Sequence, residues 1–161
     1  MDTQTGKALS SLHARKIKGI FAEDDQEANR LILDLIPLDA VVGIGDSTSM
    51  RQLGILDLLR ERGTKILNPF EPKREEMDIR DYGRGRARIM KEATLCNVFL
   101  TGTNALTEDG RLVNVDAVGN RVAGMFWGHP LSILVVGRNK IVRDLDEAFE
   151  RIRNIIAPTH F

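Results

Sequence analysis

The sequence is short of the residues that cross-link or anchor a chain. Its one cysteine, Cys96, excludes an internal disulfide and any all-cysteine metal or iron–sulfur cage built from a single copy. Net charge is missing as well: 23 basic residues offset 23 acidic ones. No global field exists to hold a polyanion, so neither nucleic acid nor an anionic membrane is an expected partner. Long apolar runs are absent. Ile133-Leu-Val-Val136 is the longest unbroken one, against the ~20 residues a spanning helix needs, and the polar start Met1-Asp-Thr-Gln-Thr-Gly6 offers no secretory apolar region. A reducing cytoplasm is the expected setting. His13, His129, His160 and Cys96 are scattered without metal-ligand spacing, so no intrinsic metal site or cofactor is expected. Arg84, Arg86 and Arg88 have only Tyr82 nearby for stacking; they read as a solvated helix face.

What is present suits one α/β domain over residues 1–161, a length that buries roughly 68–70% of the unfolded surface without staples. Ala28, Leu31, Ile32 and Leu35 recur at helical spacing, predicting a helix from Asp24 to Ile36 that Pro37 ends. Ala40 to Ile44 follows as a strand, then a glycine loop, then a helix carrying Leu53, Leu56 and Leu59 and closed by Gly63. Lys65 to Leu67 predicts a further strand, and Glu71 to Leu95 a charged helix interrupted at Gly83 and Gly85. Asn97 to Thr101 and Leu131 to Val136 read as buried strands, the latter central. Between them a turn at Glu108-Asp-Gly110 sets up an antiparallel excursion. Asp144 caps a last helix whose apolar face is Leu145, Ala148, Phe149, Ile152 and Ile156. This alternation predicts a three-layer α/β/α sandwich with a mostly parallel central sheet and a small antiparallel excursion.

Two loops fall at strand carboxyl ends, where open α/β sheets bind ligands. In Gly43-Ile-Gly45-Asp-Ser47-Thr-Ser49, glycines permit close approach while hydroxyls and amides can hold an anion. A plain turn with Ser47 or Ser49 as helix cap explains the same residues, and Asp46 would repel phosphate. Thr101-Gly102-Thr103-Asn104 offers neutral donors and acceptors suited to a carboxylate or carbonyl, or to satisfying its own backbone. Asp116 can serve as a general base, and Arg121, beside Asn120, as a carboxylate clamp; a structural Asp116–Arg121 ion pair is the competing reading. Lys140 can point a cation at the same place, and His129 before Pro130 is a loop histidine with no partner announced by spacing.

Together, Gly43-x-Gly45-x-Ser47, Thr101-Gly-Thr-Asn-Ala105, Thr107-x-Asp-Gly110, Leu112-Val-Asn114, Asp116, Gly119-Asn-Arg-Val122 and Val136-Gly-x-Asn-Lys-Ile141 resemble the LUD (lactate-utilisation) family. The likeness runs from about Ala22 to Pro158 and takes in Glu147-Ala148, Arg151 and Ala157-Pro158, leaving residues 1–21 undiagnostic. It implies the architecture of ribose-phosphate isomerases, glucosamine-phosphate deaminases and coenzyme A transferases. It also implies work beside an iron–sulfur protein and an oxidoreductase in converting lactate to pyruvate, with iron–sulfur or flavin chemistry supplied only by those partners. Two departures stand out. Asp46 occupies a position that is small in many relatives, and short relatives often continue past the Ala-Pro pair into a cysteine-bearing tail, whereas this sequence stops at Phe161.

The leading expectation is an accessory or ligand-binding subunit for small 2-hydroxy or 2-oxo carboxylic acids. The sites would be Gly43, Gly45, Ser47, Thr101, Gly102, Thr103, Asn104, Asn120, Arg121 and Lys140, with Asp116 as catalytic base if chemistry occurs. The alternative is a stand-alone isomerase or acyl-transfer enzyme acting on a sugar phosphate or coenzyme A thioester. A third reading makes Met125-Phe-Trp127 and the Leu131 strand a homo-oligomer contact, which core packing explains equally well.

Overall fold

A computed structural model describes residues 1–71 and 78–159. In chain order its elements are α1 (Thr3–Ala14), α2 (Asp25–Leu35), β1 (Val41–Ile44), α3 (Thr48–Leu53), α4 (Ile55–Glu61), β2 (Lys65–Leu67), α5 (Ile79–Ala93), β3 (Val98–Gly102), β4 (Ala105–Thr107), β5 (Leu112–Val113), α6 (Asn120–Phe126), β6 (Leu131–Val135), β7 (Ile141–Val142) and α7 (Leu145–Arg151). They gather into two compact units. One comprises Asn29–Gly102 and Asp116–Val135; the other comprises Met1–Ala28, Thr103–Val115 and the chain from Val136 onward.

The first unit is built on a parallel four-stranded sheet of order β2-β1-β3-β6. Strand alternation assigns its faces. Val42, Ile44, Val98, Leu100 and Ile133 point one way and pack with Ile32 of α2, Ile36 just past its end, Met50 of α3, and Ile55 and Leu59 of α4. Gly43 and Phe99, paired in register, point the other way. A Cβ on Gly43 would meet the Ala93 carbonyl at the end of α5, and one on Gly124 in α6 would lie 2.3 Å from the Phe99 ring. Helices therefore cover both faces, which makes the expected three layers. After β1 the chain runs through α3 and α4 to β2 on one side; after β2 it returns through α5 to β3 on the other. The strand order thus reverses between β1 and β3.

The second unit holds the antiparallel excursion. β4 pairs antiparallel with β5 and parallel with β7 in a three-stranded sheet. Gly110 makes the hairpin turn with left-handed backbone (φ 81°), which suits glycine because no Cβ opposes it. Ala105, Val113 and Val142 pack on Ala148 of α7, while Ala8 and Leu12 of α1 pack on Leu106. Asp2 and Asp144 cap α1 and α7 by accepting from Thr5 N and Glu147 N.

Several elements depart from the sequence reading. The helix expected across Leu53 to Leu59 is two, because Gly54 turns left-handed (φ 65°) between α3 and α4. In contrast, α5 runs unbroken through Gly83 and Gly85. Two internal glycines cost a helix about 1 kcal/mol each, and the Asp78 cap with the Arg84–Asp81 and Arg88–Glu92 pairs offsets part of that. The predicted start of that helix, 72–77, lies outside the described residues, as does His160. β6 is not central but ends the sheet order, so of its residues only Ile133 is buried. Phe149, expected on the inner face of the last helix, is exposed, and α1 forms where the sequence carried no clear signal.

Candidate functional site

In the parallel-sheet unit, the ends of β1 and β3 interlock through two glycines. Gly45 N donates to Leu100 O at 3.0 Å. A Cβ on Gly45 would lie 2.4 Å from Thr101 Oγ1, and one on Gly102 would lie 2.3 Å from Ser47 Oγ. Each missing side chain therefore lets a hydroxyl of the opposite loop sit against bare backbone. Ser47 and Ser49 are buried, and Thr101 is fully enclosed. Ser47 caps α3, its Oγ accepting from Met50 N at 3.5 Å. Thr101 Oγ1 is buried with no hydrogen-bond partner among the described residues, an uncommon state for a hydroxyl.

Asp46, whose charge argued against anion binding, is salt-bridged to Arg51. The pair occupies the positions one before the cap and four into the helix, which meet in space and more often carry two apolar groups. Sequence reasoning did not single out Arg51; that spacing was the signal that could have found it. With its charge matched, Asp46 leaves the loop nearly neutral, suited to hydrogen bonding more than to gripping a polyanion.

Asp116 and Arg121 form the ion pair that competed with a catalytic role. Asp116 Oδ1 accepts from Arg121 Nε at 2.8 Å and lies 2.8 Å from its Nη2, and Oδ2 accepts from Val122 N at 2.7 Å. The two side chains are 10% and 13% exposed. Asp116 thus ties down the first turn of α6, which begins at half-buried Asn120 after left-handed Gly119. Both carboxylate oxygens are thus already engaged within the protein.

Thr103, Asn104 and Lys140 belong to the other unit, and all three are buried. Thr103 Oγ1 lies 3.1, 3.2 and 3.1 Å from Ala105 O, Val113 O and Asn114 Oδ1. A hydroxyl carries one proton, so it donates to one of these. Asn104 Oδ1 accepts from Val115 N at 2.8 Å, and Asn104 O accepts from Arg151 Nε at 3.1 Å. Burial lowers the affinity of the Arg151 guanidinium for its proton. Thr103 and Asn104 therefore brace the β4–β5 hairpin, the role in which such residues satisfy nearby backbone. Lys140 ends a short 3-10 turn, Arg138–Lys140, ahead of β7.

The structure also joins two residues that spacing kept apart. Cys96 Sγ lies 3.8 Å from His129 Nδ1, and His129 Nδ1 lies 2.8 Å from Cys96 O. The thiol is not a nucleophile in waiting. It donates toward Ala93 O or Val98 O and accepts from Gly43 N, and burial pushes its pKa up, opposite to the shift that activates a cysteine. His129 stacks on Phe99 with ring centroids 5.4 Å apart. Both residues precede their strands, at the opposite end of the sheet from the Gly45 and Gly102 loops.

Among the described residues, no group of three or more His, Cys, Asp or Glu is placed to hold a metal ion, and no helix is long and apolar enough to cross a membrane. The family model for the LUD domain matches residues 6–160. No curated protein and no solved structure matches the chain.

Proposed function

The chain belongs to the LUD domain family, and from that membership in a family of lactate utilisation we propose that it is an accessory subunit binding a small 2-hydroxy or 2-oxo carboxylic acid. One observation carries the reading: the strand order reverses between β1 and β3, and their carboxyl ends bring together Gly45, Ser47, Thr101 and Gly102, whereas Gly43, inside β1, faces Ala93 and Cys96 instead. Open α/β sheets bind ligands at such a reversal. Glycine backbone and the Ser47 hydroxyl offer the short neutral hydrogen bonds that a compact carboxylate or carbonyl can use, with the enclosed Thr101 hydroxyl packed behind them. Asn120 and Arg121, at the start of α6 in the same unit, are the proposed further polar contacts. Thr103, Asn104 and Lys140 carry less of this proposal, since Thr103 and Asn104 bond within their own hairpin.

The isomerase or acyl-transfer alternative needs a free base. Asp116, its candidate, has both oxygens occupied, so binding is preferred over catalysis. Redox chemistry on the bound acid would come from iron–sulfur and oxidoreductase partner proteins. Titration calorimetry with lactate, pyruvate and glycolate, run on the chain alone and with such partners, tests the proposal. Binding that Ser47→Ala weakens by about tenfold supports it, one lost hydrogen bond being worth about 1 kcal/mol or somewhat more. Silence with every acid in both settings overturns it.

A further inference from the structure

At the end of the parallel sheet remote from the Gly45 and Gly102 loops, the same unit leaves an unusual amount of apolar surface in water. Leu38, Leu95, Phe126 and Trp127 are 77%, 75%, 74% and 67% exposed. They sit on the segments that lead into β1, β3 and β6. Leu95 adjoins Cys96, whose carbonyl meets His129, two residues beyond Trp127. Leu38 lies between Pro37 and Asp39 on the rim of a groove of about 250 Å³. That groove is walled by apolar Leu35, Pro37, Ala40, Val98, Pro130 and Leu131 with Asp39 and Asn97 beside them, at the end of the sheet where β1, β3 and β6 begin. One end of the sheet thus presents an exposed aromatic pair and a mainly apolar hollow.

We propose that this end is the interface of a two-fold dimer of the chain, with Trp127 of each copy seated in the groove of the other. The first argument is self-complementarity. A two-fold interface uses one patch twice, so any projection on it must find its own receptor on the same patch. Here the projection and the receptor lie a few residues apart, and a cavity of about 150 Å³ already accepts a benzene ring, so this groove has room for an indole. The second argument is area. With the four exposed residues and the groove walls covered in both copies, the pair approaches the roughly 1,200 Å² at which specific interfaces begin. The third is composition: tryptophan is among the residues that carry binding energy at interfaces, and phenylalanine is enriched there.

Sedimentation velocity on the full chain from low to high micromolar concentration tests the dimer. A species of twice the 18.0 kDa chain mass is expected, with Trp127→Ser raising the dissociation constant about 30-fold or more, as for a central aromatic anchor. Because Trp127 is the only tryptophan, fluorescence supplies a second readout: its emission should shift to the blue as concentration rises, and Leu131→Glu in the groove should abolish the shift. Circular dichroism on both variants establishes that they fold. A wild-type chain of single mass across the range overturns the proposal. So does a dimer that survives Trp127→Ser, or an emission maximum that ignores concentration. Association only with a different protein is a refuting outcome too.

Discussion

Replacing Gly102 by alanine tests the interlock between the β1 and β3 loops. Gly102 has no left-handed backbone, so the substitution acts through contact alone. The new Cβ would lie 2.3 Å from Ser47 Oγ, 3.0 Å from Ser47 Cβ and 3.3 Å from Val135 O. Something must yield, and Ser47 is held by its cap on α3 and by burial. Overpacking of this kind costs about 1–3 kcal/mol, and an expelled Ser47 side chain adds the loss of a cap, about 1 kcal/mol. Gly102→Ala should therefore destabilise by about 2–3 kcal/mol, lowering Tm by about 2–4 °C per kcal/mol in a chain of this size. Ser47→Gly removes the obstructing atoms and, at a cap position, costs only a few tenths of a kcal/mol. The double variant should consequently be more stable than Gly102→Ala alone, with a coupling of roughly 1–2 kcal/mol. Urea unfolding of the four proteins of the cycle measures it. If the two changes simply add, or Gly102→Ala is silent, the loops do not interlock as described and the proposed binding site loses its frame.

Two further outcomes follow from charges in the structure. Asp116→Asn should lower stability by about 3 kcal/mol, because it leaves a mostly buried guanidinium without its carboxylate, and Asp116→Asn combined with Arg121→Met should recover part of that loss. Denaturation curves decide, and a single-variant cost under about 1 kcal/mol would return Asp116 to the pool of candidate bases. The second outcome concerns acid. Thr5 N holds the Asp2 carboxyl below its ordinary value of 3.8, and the Thr107 hydroxyl does the same for Asp109, with Arg111 and Arg15 adding to it. Folded-state values below unfolded ones mean that the stabilisation is complete above 3.8 and is lost as pH falls through the folded values. The variant Asp2→Asn with Asp109→Asn should therefore show a shallower fall in stability below that pH than the wild type, and an identical acid limb would refute the assignment.

The parts of this fold that read directly from sequence were those fixed by local chemistry. Val41 to Ile44 and Val98 to Gly102 form strands because β-branched and apolar residues dominate both stretches between turn formers. Ser47, Asp144 and Pro37 set helix ends by hydrogen bonding or by its impossibility. What stayed hidden depended on distant partners. Ala8 and Leu12 in α1 make a weak helical stripe whose meaning comes from Leu106. β7 has two residues and exists through its pairing with β4. The site was half legible. The glycines announced a close approach, but not that the approaching atoms would be the chain's own Ser47 and Thr101 hydroxyls. Equally, the spacing of Thr103 and Asn104 could not reveal that Asn114 and Val115 already answer them.

The unit that contains α1 is assembled from three separated stretches of chain, and this sets an order of events on the ribosome. The segments of the parallel-sheet unit are complete once Val135 has emerged, and α1, made well before, packs on Leu106 and Leu112 of the β4–β5 hairpin and then on Val136 and Ile141. At ~5–20 residues per second the apolar stripe of α1 waits several seconds for its seat. Nascent chains arrested before Leu106 should therefore leave α1 open to protease, and chains arrested well beyond Ile141 should protect it.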